Sequence, residues 1–261
     1  MIIDGVNISQ YGVYVVQGGF NDVVEYPSIK APDKNDWPEF DGIEVDLSNV
    51  SIEPKKITLK FAGSGCIEFI NAISQPGYRT VVFDEIGITK SLRVISASDL
   101  SVNLIMMFSV DFYEDDPAII QSNPTHASTG SGFELDGVDF SRYGVAVLEG
   151  SVDSILKPFP VKQNRSISLK GVSGQTYNAN RVKLAEKQVD VNCLMTGGDF
   201  ITNYNALFYT LTKSGERTFY YNGVDYKCFY NSSKVSEFEV INGRFWFKFT
   251  LSLTFIKGIQ R

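Results

Sequence analysis

The sequence predicts a mainly β protein built as two tandem copies of one module, each a β-sandwich or small barrel with one packed helix. Three observations carry this. Ile3 to Gly18 matches Leu135 to Gly150 without a gap at an offset of 132, with nine of sixteen positions identical, among them Asp4/Asp136, Gly5/Gly137, Ser9/Ser141, Tyr11/Tyr143 and Gly12/Gly144. Such a match inside a non-repetitive composition is the signature of an internal repeat. A stretch rich in Ser, Thr, Gly, Pro and Asn, Gln121 to Gly132, falls just before the second copy and reads as a linker. Period-two alternation of apolar and polar residues recurs through both halves, which is how half-buried strands read. The expected division is residues 1–120, a linker at 121–132, and residues 133–261.

The elements follow in the same order in each half. A short strand leads to a turn at the shared Tyr-Gly, where Gly12 and Gly144 supply backbone freedom, and then to an apolar strand at Val13 to Val16 or Val145 to Leu148. A long polar connection comes next, Gly18 to Pro54 and Gly150 to Arg181, with several prolines in each. Connections of more than about 15 residues are uncommon and tend to be functional or disordered, and two at matching positions point to function. The strand that follows alternates Ile57, Leu59 and Phe61 with Lys56, Thr58 and Lys60; its counterpart sets Val189, Val191 and Cys193 against Gln188, Asp190 and Asn192.

A helix is then expected in each half. The second is the stronger, with Asp199 as N-cap and Phe200, Tyr204, Leu207, Phe208 and Leu211 on one face; the first places Phe69, Ile70 and Ile73 together. Gly77-Tyr-Arg-Thr and Gly215-Glu-Arg-Thr open another strand. Each half ends in its longest strand, with Val102, Leu104, Met106, Phe108, Val110 and Phe112 on one face in the first and Phe245 to Phe255, alternating, in the second.

The net charge of −6 and pI near 4.9 argue against nonspecific binding to nucleic acid or to an anionic membrane. No apolar run approaches the roughly 18 residues a membrane helix needs, and Asp4 and Asn7 interrupt what a secretory signal would keep apolar, so the expectation is a soluble, unexported protein. Three cysteines without Cys-x-x-Cys spacing read as idle free thiols.

Catalytic patterns are sparse. The single histidine, His126, lies in the linker, and no nucleophile elbow, Walker A or dinucleotide fingerprint occurs in its required context. Asp111, Glu114, Asp115 and Asp116 cluster but lack calcium-loop spacing, and read as a solvated strand end. No enzyme activity, cofactor or metal is expected.

What remains are surfaces. Trp37 and Phe40 in the first long loop and Phe159 in the second either fold back over their own module or anchor a neighbouring subunit. Thr58 and Lys60, with Gln188, Asp190 and Asn192, lie on polar strand faces that meet bulk solvent or line an aqueous channel. Tyr220, Tyr221, Tyr226 and Tyr230 read either as ordinary β packing or as a sugar-stacking surface.

The opening apolar-Asp-Gly-x-x-apolar-Ser-x-Tyr-Gly, a long loop with Trp37 and prolines, a strand, a helix and a final alternating strand together resemble phage distal tail proteins and the tail-tube fold. The matching residues are Asp4, Gly5, Ser9, Tyr11, Gly12 and Trp37, then Asp136, Gly137, Ser141, Tyr143 and Gly144; the second loop has no tryptophan. The resemblance implies a structural virion tail component, assembled in the bacterial host cytoplasm. It would form a ring around a channel at the tail tip and join the tube to the baseplate or receptor-binding parts. DNA would pass without being read. Two tube-like modules in one chain resemble tail hub proteins, which leaves a trimer with a pseudo-sixfold ring or a hexamer, with other tail proteins as partners. A second expectation of a different class is a tandem β-sandwich adhesin or carbohydrate-binding protein, using Trp37 or Tyr221.

Overall fold

The computed structural model describes residues 1–16, 18–102, 106–163, 166–177 and 182–260. In the first half the chain forms β1 (Ile2–Ile3), β2 (Val6–Asn7), β3 (Val13–Val15), α1 (Asn21–Val24), β4 (Lys34–Asn35), β5 (Glu44–Val45), β6 (Lys55–Gly63), α2 (Cys66–Ile73), β7 (Tyr78–Phe83), β8 (Ile88–Val102) and β9 (Met106–Glu114). The second half continues with β10 (Phe133–Leu135), β11 (Val138–Asp139), β12 (Val145–Val147), α3 (Ser151–Leu156), β13 (Ser166–Ile167), β14 (Thr176–Tyr177), β15 (Lys187–Gly197), α4 (Phe200–Thr212), β16 (Arg217–Tyr221), β17 (Val224–Ile241) and β18 (Arg244–Gln260).

Each half carries a seven-stranded antiparallel sheet. The orders are β2-β1-β7-β8-β9-β6-β3 and β11-β10-β16-β17-β18-β15-β12, position for position the same. The expectation of a sandwich or small barrel is met in its β content and packed helix, but each half is one curled sheet and not two facing ones. The long connections, expected to be plain loops, each contain a short helix and a two-stranded hairpin, β4–β5 and β13–β14.

Alternation decides the faces. Ile57, Leu59 and Phe61 of β6, and Val189, Val191 and Cys193 of β15, are buried beneath the sheets. From β18, Phe247, Phe249, Leu251, Leu253 and Phe255 join them. The matching strand of the first half is shorter than its sequence pattern. Val102 ends β8 and Met106 starts β9, which pairs with β8 antiparallel; Leu104 lies outside the described residues. Helix α4 buries Phe200, Tyr204, Leu207, Phe208 and Leu211, and the buried apolar residues of both halves form one continuous cluster. Asp199 holds the N-cap position of α4, but in a left-handed conformation with no capping bond from its side chain.

The two repeated sequence motifs meet in space. Asp4, just after β1, accepts from the Thr80 amide at 2.8 Å and from Arg79 Nη1 at 3.0 Å; Asp136 accepts from the Thr218 amide and from Arg217 Nη1, both at 2.8 Å. The Asp-Gly turn and the Gly-x-Arg-Thr strand start are thus two ends of one clamp between β1 and β7, or β10 and β16. The shared Tyr-Gly ends a 3-10 turn in each half, with Gly12 at φ 64° and Gly144 at φ 70°, in the left-handed region that favours glycine. Arg217 is nearly buried, so Asp136→Ala is expected to strand a charged donor and cost about 2–3 kcal/mol in a denaturation experiment. Asp136→Asn, which tolerates the same positive φ and keeps an acceptor, should cost less.

Candidate functional site

A non-local feature lies between the halves and is made by the first long connection. Leaving β3, the chain forms α1, which covers the edge of β6 that β3 is too short to pair: Asp22 accepts from the Thr58 amide at 3.0 Å, and Lys55 donates to the Glu25 carbonyl. The segment after α1 then crosses to the second half. Tyr26 is fully buried there, stacked on Tyr204 and Phe208 at centroid distances of 4.4 and 5.1 Å, with Phe247 and Phe249 edge-on. Its hydroxyl donates to the Tyr204 carbonyl at 3.1 Å and its amide to Ser233 Oγ at 2.9 Å.

Backbone contacts continue along β17. The Ile29 amide donates to the Asn231 carbonyl at 3.0 Å, and Glu25 accepts from the Val235 amide at 3.1 Å. This stretch of β17 runs past the end of β16, whose pairing stops at Cys228, so the segment satisfies a sheet edge that would otherwise be bare.

Further on, the loop tip grips the base of the second long connection. Lys162 donates to the carbonyls of Trp37 (2.8 Å) and Gly42 (2.5 Å) and pairs with Asp36 at 2.5 Å. The Gly42 amide donates to the Leu184 carbonyl at 2.7 Å, the Leu184 amide to Asp41, and Lys34 pairs with Glu186 at 2.6 Å. Gly42 approaches the Ile256 carbonyl so closely that a side chain would collide with it.

The expected anchor residues divide. Trp37 and Phe40 sit on this tip, 51% and 67% exposed, and Trp37 Nε1 donates to Glu44 within the same hairpin. It is the Trp37 backbone, not its ring, that the second half holds. Phe159 packs on its own half, its ring 6.5 Å from that of Tyr226 and 4.8 Å from the Lys187 ammonium. Sequence reasoning missed Glu25, Tyr26 and Ile29, the residues that make the contact. Their signal was an apolar run inside an otherwise polar connection.

The polar strand faces are in register between the halves. Thr58 and Lys60 occupy the places on β6 that Asp190 and Asn192 occupy on β15, and Gln188 matches Lys56. Thr58 Oγ1 donates to Asp111 at 2.8 Å, Lys56 pairs with Asp111 at 2.9 Å, Gln188 donates to Thr254, Ser252 donates to Asp190, and Thr250 donates to Asn192 at 2.8 Å. Lys60 is exposed. The Asp111 carboxyl is held below its ordinary range first by Lys56, then by Thr58 and Ser96.

The acidic cluster is divided among strand neighbours. Glu114 pairs with Lys90 and Asp115 with Arg93, and no metal-ligating group occurs among the described residues. Tyr226 and Tyr230 are buried and Tyr221 stacks on Phe133, so these tyrosines do not form an exposed ladder. Cys66, Cys193 and Cys228 are free and buried, and burial raises all three thiol pKa values.

No family model matches the chain, and no curated protein does. Among solved structures it is similar to the SPP1 Dit (gp 19.1) protein, described as a paradigm of the hub adsorption apparatus in Gram-positive infecting phages. The identity is 14% and the TM-score 0.36, over 50% of this chain and 52% of that one. The chain therefore spans about half the length of that protein, at a similarity below the level from which a shared fold follows.

Proposed function

We propose that this chain is a structural subunit of a phage tail: two homologous modules, residues 1–120 and 133–261 joined by 121–132, that tile a ring at the distal tail or hub. The ring would connect the tail tube to baseplate or receptor-binding parts and surround a channel. The observation that carries this is that the halves share more than a strand order. The bond from the Thr58 amide to Asp22 recurs, at the same offset of 132, from the Asp190 amide to Ser154 Oγ; the bond from Lys55 to the Glu25 carbonyl recurs from Lys187 to the Lys157 carbonyl. The bond from the Lys30 amide to the Ser51 carbonyl recurs between Lys162 and Lys183. These correspondences support the reading of one tile present twice, with the first docked head to tail on the second.

A head-to-tail contact repeated by a rotation that divides the full turn closes into a ring. Thr58, Lys60, Gln188, Asp190 and Asn192 supply a polar face that recurs with every tile, and we assign the lumen to it. With Lys56 paired to Asp111, that face offers few unpaired cations to phosphates, which suits a passage DNA slides through, since phosphate affinity grows with the charges neutralised.

The test is solution mass by light scattering with negative-stain imaging. Particles of three or six times 29.1 kDa with a central hole are expected. A strict monomer at all concentrations, with glycan binding that Trp37→Ala or Tyr221→Ala abolishes, would favour the tandem carbohydrate-binding reading instead.

A further inference from the structure

The contact between the halves has two sides, and each side has an unfilled twin. On the donor side, Val24 and Ile29 are 0% and 8% exposed, on a segment whose helix α1 lies against β17 and whose Ile29 amide bonds to Asn231; the residues at the same places in the second connection, Leu156 and Val161, are 55% and 63% exposed. The equivalence is structural as well as numerical, since Ile29 bridges Ile52 as Val161 bridges Leu184.

On the acceptor side, Asn231 is the bulged residue of β17, and its carbonyl receives the Ile29 amide. Its twin is Ile95, the bulged residue of β8, 47% exposed. Pairing between β7 and β8 stops at Arg93, so from Val94 onward the outer edge of β8 has no partner strand among the described residues. An open edge beside exposed apolar side chains invites a further chain. The lysines agree: Lys162 is buried under the tip of the first connection, while Lys30, at the equivalent place, is exposed.

We infer that the second long connection of one copy docks on the first half of the next, placing Val161 against the Ile95 edge of β8 and its hairpin tip over Lys30, as the first connection docks on β17 and Lys162 within the chain. This rests on the reading of the chain as two like tiles. The occupant is a second copy because the acceptor and donor surfaces are the unfilled halves of a contact this chain already makes once. The aromatic plug is absent, since Pro158 stands where the first connection has Tyr26, so the contact between copies is the weaker of the two and depends on Leu156 and Val161.

The test is a cysteine pair. Ile95→Cys with Val161→Cys should form disulfides between copies under mild oxidation, because the equivalent backbones are within hydrogen-bonding distance and a disulfide needs Cα atoms within about 7 Å. A ladder of covalent oligomers is expected, at a yield roughly ten-fold above either single variant, since docking raises the local thiol concentration. Ile29→Cys with Asn231→Cys, which should close within the chain, is the positive control. Oligomers by light scattering with no Ile95–Val161 cross-link, while the control pair closes, would overturn this interface and leave the ring standing. A protein monomeric at every concentration would overturn the ring and the interface with it. Val161→Asp, at an exposed position, should abolish the oligomer and leave the melting temperature of the chain unchanged.

Discussion

Tyr26→Ala is expected to lower unfolding free energy by about 3–5 kcal/mol, the range for removing a large aromatic from a packed core, and to split a single unfolding transition into two. The ring is fully buried in the other half of the chain, between two stacked aromatics and two edge-on ones. Removing it leaves a cavity lined by Tyr204, Phe208, Phe247 and Phe249, and takes from the Tyr204 carbonyl the hydroxyl donor that adds to its helical bond. Because the buried clusters of the halves are continuous and Tyr26 is the plug that joins them, the loss falls on their coupling as well as on either core. Tyr26→Phe keeps the stack and loses the hydroxyl, for about 1 kcal/mol. Phe40→Ala, on an exposed ring of the same connection, should stay within roughly 0.5 kcal/mol of the parent. Urea denaturation followed by tryptophan fluorescence and circular dichroism checks all three. If Tyr26→Ala costs no more than Phe40→Ala, the plug does not hold the halves together.

How much of this was legible beforehand follows from which forces act locally. The half-buried strands were readable because burial on one face imposes period two wherever it occurs, and Ile57, Leu59, Phe61 and Val189, Val191, Cys193 obey it in both halves. The Asp-Gly and Gly-x-Arg-Thr motifs were each visible, yet the ion pair that joins them spans 75 residues in one half and 81 in the other, and no periodicity reports such a bond. Val102 and Met106 were read into one alternating strand, yet they belong to β8 and β9, which pair antiparallel, and alternation alone does not mark where one strand ends and the next begins. Trp37 was read either as folding back over its own module or as anchoring a neighbouring subunit, and neither alternative pointed to Tyr26, which joins the two halves of the chain. A side chain's value at an interface depends on whether a pocket meets it, and that pocket is built by α4 and β18, nearly two hundred residues away. Exposure carried similar ambiguity. Val24 and Leu156 are chemically alike at the same place in the repeat, and only the fold reveals that one is covered and the other is not.

Stability is expected to rise with pH from about 7 to about 9 and to fall beyond it. Lys55 and Lys187 occupy one place in the two sheets, and each turns its ammonium inward onto the carbonyls at the end of a short helix. Burial pulls the Lys55 pKa from 10.5 down to about 7, helped by the neighbouring charge of Lys90, against the opposing pull of Glu25, Glu114 and Asp22. Burial alone brings Lys187 down to about 8. Between the folded value and 10.5 such a lysine binds fewer protons folded than unfolded, so raising the pH through that window favours the folded chain, by up to about 1.4 kcal/mol per pH unit for each proton. The buried thiols act the other way. Their pKa values are raised on folding, so above the ordinary cysteine value of 9.0 the unfolded chain gains by losing protons the folded chain keeps, and Tyr26, Tyr204 and Tyr230 add the same effect above 10.0. The two families of groups leave a maximum near pH 9. Lys55→Met, which fills the same space without a charge, should roughly halve the rise between pH 7 and 9, and adding Lys187→Met should flatten it, while both leave the fall above it. Melting temperatures measured at half-unit intervals from pH 6 to 10.5 decide the matter. A profile flat from 7 to 9 in the parent chain, or a rise that survives in Lys55→Met with Lys187→Met, would mean that neither ammonium is discharged by folding.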